Sequence, residues 1–306
     1  MSAAEAFTSR FYSAQDGLRL HLRDYGSRIS PALPVVCLPG LARTAADFDM
    51  LARALSAQGR RVVALDYRGR GLSERDKNPA NYDVIVENRD IQDILVAAGV
   101  AEAVFVGTSR GGIHTMVLSA LRPGLLKAVV LNDIGPVLEA RGLARIKGYV
   151  GKMPQPTSWS DAVDLFKKIA SAHFTAMSDA DWEAFARLTF EEKDGKLAPQ
   201  YDPALSKNLE KLDLSQPIPE MWPQFEGLGR IPLMIIRGGN SDLLSAETVA
   251  EMVRRHPGCE TMVVPDQGHA PLLMDDISIG AIKGFVERVE AGSIASPLPA
   301  PSRGEG

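Results

Sequence analysis

The chain predicts an α/β protein built on a mainly parallel, doubly wound sheet, and three observations carry that expectation. Short β-branched or apolar runs alternate with longer helical patterns along most of the 306 residues, which is the sequence form of a parallel sheet covered on both faces. One apolar run, Ala103-Val104-Phe105-Val106, leads into Gly107-Thr108-Ser109-Arg110-Gly111 and then into a helical segment, a strand, sharp turn and helix around a serine. Between Gly135 and about Gly229 the alternation stops and helical patterns dominate.

The first strands are expected over residues 18–24, 34–38 and 61–66, with a helix over 45–56 between the second and third. A helix over 86–98 precedes the strand 103–106, the helix 111–121 follows the serine turn, and a strand over 127–131 comes next. The interrupting region holds helical patterns at 138–150, 161–174 and 180–192, separated by Pro154, Pro156 and the Asp194-Gly195 turn. Alternation then resumes with strands at 232–236 and 261–264 and helices at 246–256 and 277–289. The organisation expected is a core of residues 1–134 and 230–291 with a helical insertion at 135–229. The Ser/Ala/Pro/Gly-rich segment 292–306 has no amphipathic period and reads as a disordered tail. Trp159, Trp182 and Trp222 all fall in the insertion, with Met153, Met177 and Met221. They are expected to pack its core, and collectively to be able to line an apolar pocket.

Hydrophobic residues at 45% and charged residues at 24% are ordinary globular composition, and a net charge of -4 offers no electrostatic footprint for nucleic acid. Met1 to Phe7 contains no basic region leading into an apolar core, and no stretch approaches the roughly twenty apolar residues that span a bilayer. A soluble, non-secreted, cytoplasmic protein is expected. Cys37 and Cys259 both fall at predicted strands, so buried free thiols are expected rather than a disulfide framework.

A serine hydroxyl needs an imidazole to take its proton and a carboxylate to hold that imidazole. His114 lies five residues beyond Ser109 on the same helix, about 140° away around it, and reads as a packed helix residue. His21 falls in an early strand, His173 on an insertion helix and His256 near a helix C-terminus. His269, in Gly268-His269-Ala270-Pro271 just after the last strand, stands at the carboxyl edge where an active site forms. It is the expected general base. The acid is expected to be Asp242, which leaves the preceding strand through Arg237-Gly238-Gly239-Asn240-Ser241-Asp242, with Asp133 at the end of the strand 127–131 as the alternative. Asp266 reads as a turn residue. The oxyanion donors expected are the backbone N–H of Arg110 and that of Leu41, beside Gly40 in the loop after the strand 34–38.

With Leu38-Pro39-Gly40-Leu41, Asp66-Tyr67-Arg68-Gly69-Arg70-Gly71-Leu72-Ser73, Ser241-Asp242 and Gly268-His269 added to the serine turn, the chain resembles the α/β-hydrolase superfamily, in its esterase, lactonase and carbon-carbon hydrolase branch. The resemblance runs from about residue 18 to residue 289. It implies a helical cap inserted after the sixth strand and a serine hydrolase that cleaves carboxylic esters through an acyl-enzyme. No metal or organic cofactor is implied, and the partner is a small ester or lactone with an apolar acyl part. A carbon-carbon bond hydrolase or enol-lactonase of aromatic ring-cleavage products is the nearest alternative, and a small-molecule receptor with a slow triad is a more distant one. Dehalogenases and epoxide hydrolases of this fold use an aspartate nucleophile, so serine at 109 argues against both. Two departures from the family pattern stand out. Pro39-Gly40 occupies the place where many relatives have His-Gly, and Arg110 replaces the usual Met, Gln or Leu. Arg110 is expected to form a buried ion pair, with Asp133 or Asp66.

Overall fold

Val35, Val36, Cys37 and Leu38 are all fully buried, but alternate residues face different cores: Val36 and Leu38 join one hydrophobic cluster, Val35 and Cys37 the other. A strand buried on both faces reads as a continuous apolar run, and such runs form the centre of an eight-stranded sheet. The computed structural model describes residues 6–293; residues 294–306, which hold nearly all of the expected tail, lie outside the described residues.

The elements in order are β1 (Phe7–Ser13), β2 (Arg19–Tyr25), β3 (Val35–Leu38), α1 (Asp49–Ser56), β4 (Val62–Asp66), α2 (Val84–Ala97), β5 (Ala103–Thr108), α3 (Arg110–Leu121) and β6 (Leu126–Asn132). Then come α4 (Ala140–Tyr149), α5 (Trp159–Ala170), α6 (Asp179–Thr189), β7 (Phe190–Lys193), β8 (Lys196–Pro199), α7 (Ser206–Glu210) and α8 (Trp222–Glu226). The chain closes with β9 (Leu233–Gly238), α9 (Ala246–Arg255), β10 (Glu260–Val264) and α10 (Asp276–Glu290). The sheet order is β1-β2-β4-β3-β5-β6-β9-β10. The β1-β2 and β2-β4 pairings are antiparallel, and all others in this sheet are parallel. The expected doubly wound, mainly parallel architecture is present, and α4 to α6 form a cap after the sixth strand.

Three differences from the sequence expectations have local causes. Strand β1 pairs with β2 from Phe7↔Tyr25 to Ser13↔Arg19, but no residue in it is fully buried, so it has no apolar periodicity to read. The helix expected over 180–192 ends at Thr189, because Phe190–Lys193 and Lys196–Pro199 fold back as an antiparallel hairpin around Asp194 and Gly195. Both turn residues have positive φ, 52° and 72°. A short segment with one buried residue, Phe190, followed by three exposed ones carries too little period to separate strand from helix. Cys259, expected within a strand, precedes β10 and is only partly buried, whereas Cys37 is buried in β3. Both thiols are free. Among the described residues no helix is long and apolar enough to cross a membrane.

What positions the site is the closeness of α3 to the sheet. A Cβ on Gly107 would lie 2.6 Å from the Gly111 carbonyl carbon, one on Gly111 would strike the Leu38 carbonyl oxygen, and one on Gly112 would strike Ile134. Glycine at these positions is therefore a steric requirement of the crossing. Gly111→Ala is expected to destabilise the protein by about 1 to 3 kcal/mol through overpacking. Gly280→Ala, on α10 with open space around it, is expected to stabilise by about 0.5 to 1 kcal/mol. Urea midpoints of the two variants, falling on opposite sides of the parent, check both.

Candidate active site

Ser109 sits between the last residue of β5 and the first of α3 with φ 51° and ψ -112°. A positive φ costs a non-glycine residue about 1 to 3 kcal/mol, and the surroundings hold Ser109 there: its N–H donates to the Asn132 carbonyl at 3.1 Å, and its own carbonyl accepts from Gly112 and Ile113. The side chain is thereby pushed off the sheet toward the cap. Its Oγ lies 2.8 Å from Nε2 of His269, so the expected serine and histidine meet.

The carboxylate beside that histidine is Asp133. His269 Nδ1 lies 2.8 Å from Asp133 Oδ2, and the expectation that Asp242 fills this place is corrected. Register explains the outcome. Thr108 of β5 pairs with Asn132 of β6, so Ser109 and Asp133 leave neighbouring strands at the same level. Asp133 then turns with φ 54°, its N–H bonding the Ile236 carbonyl at 2.7 Å. Its fully buried carboxylate also accepts from the Gly238 N–H at 2.7 Å and the Ser241 hydroxyl at 2.6 Å. Asn132 fastens the histidine loop to the same strand end, its Nδ2 donating to the Pro271 carbonyl at 2.9 Å.

Asp242 turns instead to the cap. Both its oxygens are taken by Arg145 of α4, at 2.6 and 2.8 Å, and His173 Nε2 stands 3.9 Å away. Burial opposes ionisation of Asp242, but the Arg145 hydrogen bond and charge prevail and hold its carboxyl below the usual range. Backbone packing is equally tight there, since a Cβ on Gly142 of α4 would lie 2.6 Å from the Asp242 carbonyl oxygen.

Arg110 pairs with neither Asp133 nor Asp66. Its Nε and Nη2 lie 3.0 and 2.8 Å from Oε2 of Glu87, a wholly buried residue of α2, so the expected ion pair forms with a partner that sequence reasoning missed. The signal available was a run of polar residues, Glu87, Asn88 and Asp90, on the inward side of α2 beside Ile91 and Ile94. His114 is also fully buried, its Nε2 3.1 Å from Glu87 and its Nδ1 2.8 Å from the Asn88 amide. Asp66 organises its own neighbourhood, accepting from the N–H groups of Ala45 and Leu72 and lying 2.6 Å from His21 Nδ1. His256 is buried with Nε2 at 3.1 Å from the Ile231 carbonyl. His173 follows the end of α5 rather than lying on it. Asp266 occupies a turn with φ 59° and accepts from the Thr175 hydroxyl at 2.8 Å.

Of the residues expected to supply oxyanion amides, Arg110 follows Ser109 in the chain and Leu41 lines the same cavity as Ser109. Arg110 is the first residue of α3, where its N–H has no intrahelical acceptor. Gly40 brings the Leu41 loop close, a Cβ there lying 3.9 Å from the Ser109 Cβ. Above them opens a cavity of about 410 Å³, bounded by Ser109, His269, Gly40 and Leu41 on the core side and by Ile146, Val150, Met153, Phe166, Phe174 and Phe185 on the cap side. Of the insertion's tryptophans and the methionines Met153, Met177 and Met221, only Met153 lines it; Trp182 is buried in the cap's own cluster. Two cations border the cavity, and each is matched. Arg43 bonds Asp47 at 2.7 and 2.6 Å, reaches Thr189 of α6 and stacks over Phe185 at 4.5 Å, while Arg145 is held by Asp242. Among the described residues no group of three or more His, Cys, Asp or Glu is placed to hold a metal ion.

The sequence matches the α/β hydrolase fold family over residues 34–276, and the chain belongs to that family. A crystal structure of an α/β hydrolase from Novosphingobium aromaticivorans superposes with a TM-score of 0.88 at 36% identity, covering 94% of this chain and 100% of that one. The 3-hydroxybutyrate-oligomer hydrolase of Cupriavidus necator is 31% identical over 87% of this chain and 92% of its own length. The 2-(acetamidomethylene)succinate hydrolase of Mesorhizobium japonicum is 26% identical over 88% and 92% respectively.

The Glu87 cluster makes stability depend on pH. Burial lowers the His114 pKa from 6.5 to about 4, so the folded protein binds fewer protons there than the unfolded chain. Stability is therefore lost as the pH falls from about 6.5 toward 4, by up to about 3 kcal/mol. Glu87 acts in the same direction: burial alone would raise its pKa, but Arg70, Arg110 and His114 hold it well below the carboxylate range, so its contribution is lost in more acidic solution. His114→Gln removes one titrating group and should flatten the fall in urea midpoint between pH 7 and pH 4.5.

Proposed function

We propose that this hydrolase cleaves neutral carboxylic esters whose acyl part is apolar, using Ser109 as nucleophile, His269 as general base and Asp133 as the acid that orients it. The observation that carries the reading is the chain of contacts Ser109 Oγ, His269 Nε2, His269 Nδ1 and Asp133 Oδ2, each polar step 2.8 Å long, at the floor of an apolar cavity. In the first half-reaction His269 Nε2 takes the Ser109 proton as Oγ attacks the ester carbonyl. Asp133 keeps the Nδ1 proton in place and stabilises the imidazolium. The Leu41 and Arg110 amides receive the charge developing on the carbonyl oxygen. The imidazolium then protonates the departing alcohol. In the second half-reaction the same nitrogen takes a proton from water as the water oxygen attacks the acyl carbon, then returns that proton to Ser109 Oγ as the acyl–oxygen bond breaks, which releases the acid and restores the enzyme.

Charge matching at the cavity supports a neutral substrate. Arg43 and Arg145 each already hold a carboxylate, with Asp47 and Asp242, so a substrate carboxylate placed there would have to displace an existing pair. That weighs against the diketo acids of ring cleavage. The relative named for hydrolysing 3-hydroxybutyrate oligomers supports the ester linkage alone, since an oligoester of a hydroxy acid also carries a terminal carboxylate.

Ser109→Ala should abolish both hydrolysis of p-nitrophenyl esters and covalent labelling by a fluorophosphonate; persistent labelling at full rate would move the nucleophile elsewhere. Asp133→Asn should lower kcat about 10³- to 10⁴-fold, with a much smaller loss for Asp242→Asn. Steady-state rates on a panel of esters graded in acyl length, with one lactone and one diketo acid, check the reading. The reverse ranking of the two aspartates would reject Asp133, and turnover of the diketo acid alone would reject the ester reading.

A further inference from the structure

Both amide donors proposed for the oxyanion are tied to one buried carboxylate. On one side the Leu41 carbonyl accepts from Arg70 Nε at 2.8 Å, and Arg70 Nη1 lies 2.5 Å from Oε1 of Glu87. On the other side Glu87 Oε2 takes Nε and Nη2 of Arg110, the residue whose N–H is the second donor. Glu87 and Arg70 have side chains that are 0% exposed, against 16% for Arg110. Tyr67 adds a hydroxyl bond to the Pro39 carbonyl at 3.1 Å on the same loop. The two donors come from elements far apart in sequence, the loop after β3 and the start of α3, and Glu87 bridges them from α2.

We propose that Glu87 is a positioning residue of the oxyanion hole: one oxygen, through Arg70, holds the carbonyl of Leu41, on the far side of that residue's Cα from its N–H, and the other holds the first turn of α3 through Arg110. The inference rests on the esterase reading above. Its chemistry requires a carboxylate. A glutamine at 87 offers one acceptor oxygen to two guanidinium groups and leaves the buried Arg70 without a counter-charge, so one tether must loosen. The oxyanion forms only on the way to the tetrahedral intermediate. Loosening its donors therefore costs transition-state binding and leaves substrate binding nearly unchanged. A carboxylate that served stability alone would change the melting temperature but not the turnover of each folded active site.

The test compares Glu87→Gln, Arg110→Met and Arg110→Lys with the parent enzyme. Active sites are counted by fluorophosphonate titration, and the measurements are kcat and KM on p-nitrophenyl butyrate and Ki for an alkyl boronic acid that forms a tetrahedral adduct with Ser109. For Glu87→Gln, kcat per titrated site should fall about 10- to 100-fold with KM nearly constant, and Ki should rise in the same proportion. Arg110→Met cuts only one tether at a partly exposed position and should show a smaller loss of the same kind, with Arg110→Lys recovering most of it. If Glu87→Gln does not fold, the Arg110 pair decides. Parent-like kcat and Ki in the folded variants, or a loss confined to KM, would overturn the positioning role while leaving the esterase reading intact. A parent enzyme that neither hydrolyses the ester nor binds the boronic acid would remove both.

Discussion

Helix α3 lies so close to β3 and β5 that a side chain on Gly111 would strike the Leu38 backbone, and the rest of the site follows from that crossing. With the helix pressed against the sheet, the connection from β5 has room for one residue between strand and helix, and Ser109 must take a positive φ. That conformation lifts its hydroxyl away from the sheet, and Arg110, as the first residue of α3, has an amide with no helical acceptor. The same contact brings the loop beyond Leu38 beside the serine. The placement of Ser109 and that of the Gly40–Leu41 loop are thus products of one packing constraint, and glycines at 107, 111 and 112 are its price.

Charged residues are distributed around this centre by a common rule: each is matched where it is buried. Asp133 accepts from Gly238 and Ser241 besides contacting His269, Asp242 is taken by Arg145, and Glu87 is shared by Arg70 and Arg110. An ionised group taken out of water needs such partners. The consequence for the cavity is that the two arginines lining it, Arg43 and Arg145, are already neutralised, while the cap contributes apolar walls. The Arg145–Asp242 and Arg43–Thr189 contacts also join cap to core beside the cavity.

Elements with strong periodicity were legible in the residues alone. The seven core strands from β2 onward, the flanking helices and the carboxyl-edge placement of Ser109 and His269 follow from alternation, glycine placement and the loop after the last strand. Strand β1 and the β7-β8 hairpin were not legible, since each has too few buried positions to show a period. Choosing between Asp133 and Asp242 was likewise beyond the sequence. Both end strands at the correct edge, and the outcome turned on a left-handed residue at 133 and on an arginine arriving from a cap helix nearly a hundred residues earlier in the chain.

Local pattern was therefore sufficient for the architecture and for the meeting of Ser109 with His269 at the carboxyl edge of the sheet, because periodicity and steric need at a tight turn are properties of neighbouring residues. Which carboxylate faces His269, which acid neutralises Arg110, and which side chains wall the cavity depended on contacts between distant segments. Those are decided by strand register and by the seating of the cap, where the competing partners are chemically alike and only their positions in space tell them apart.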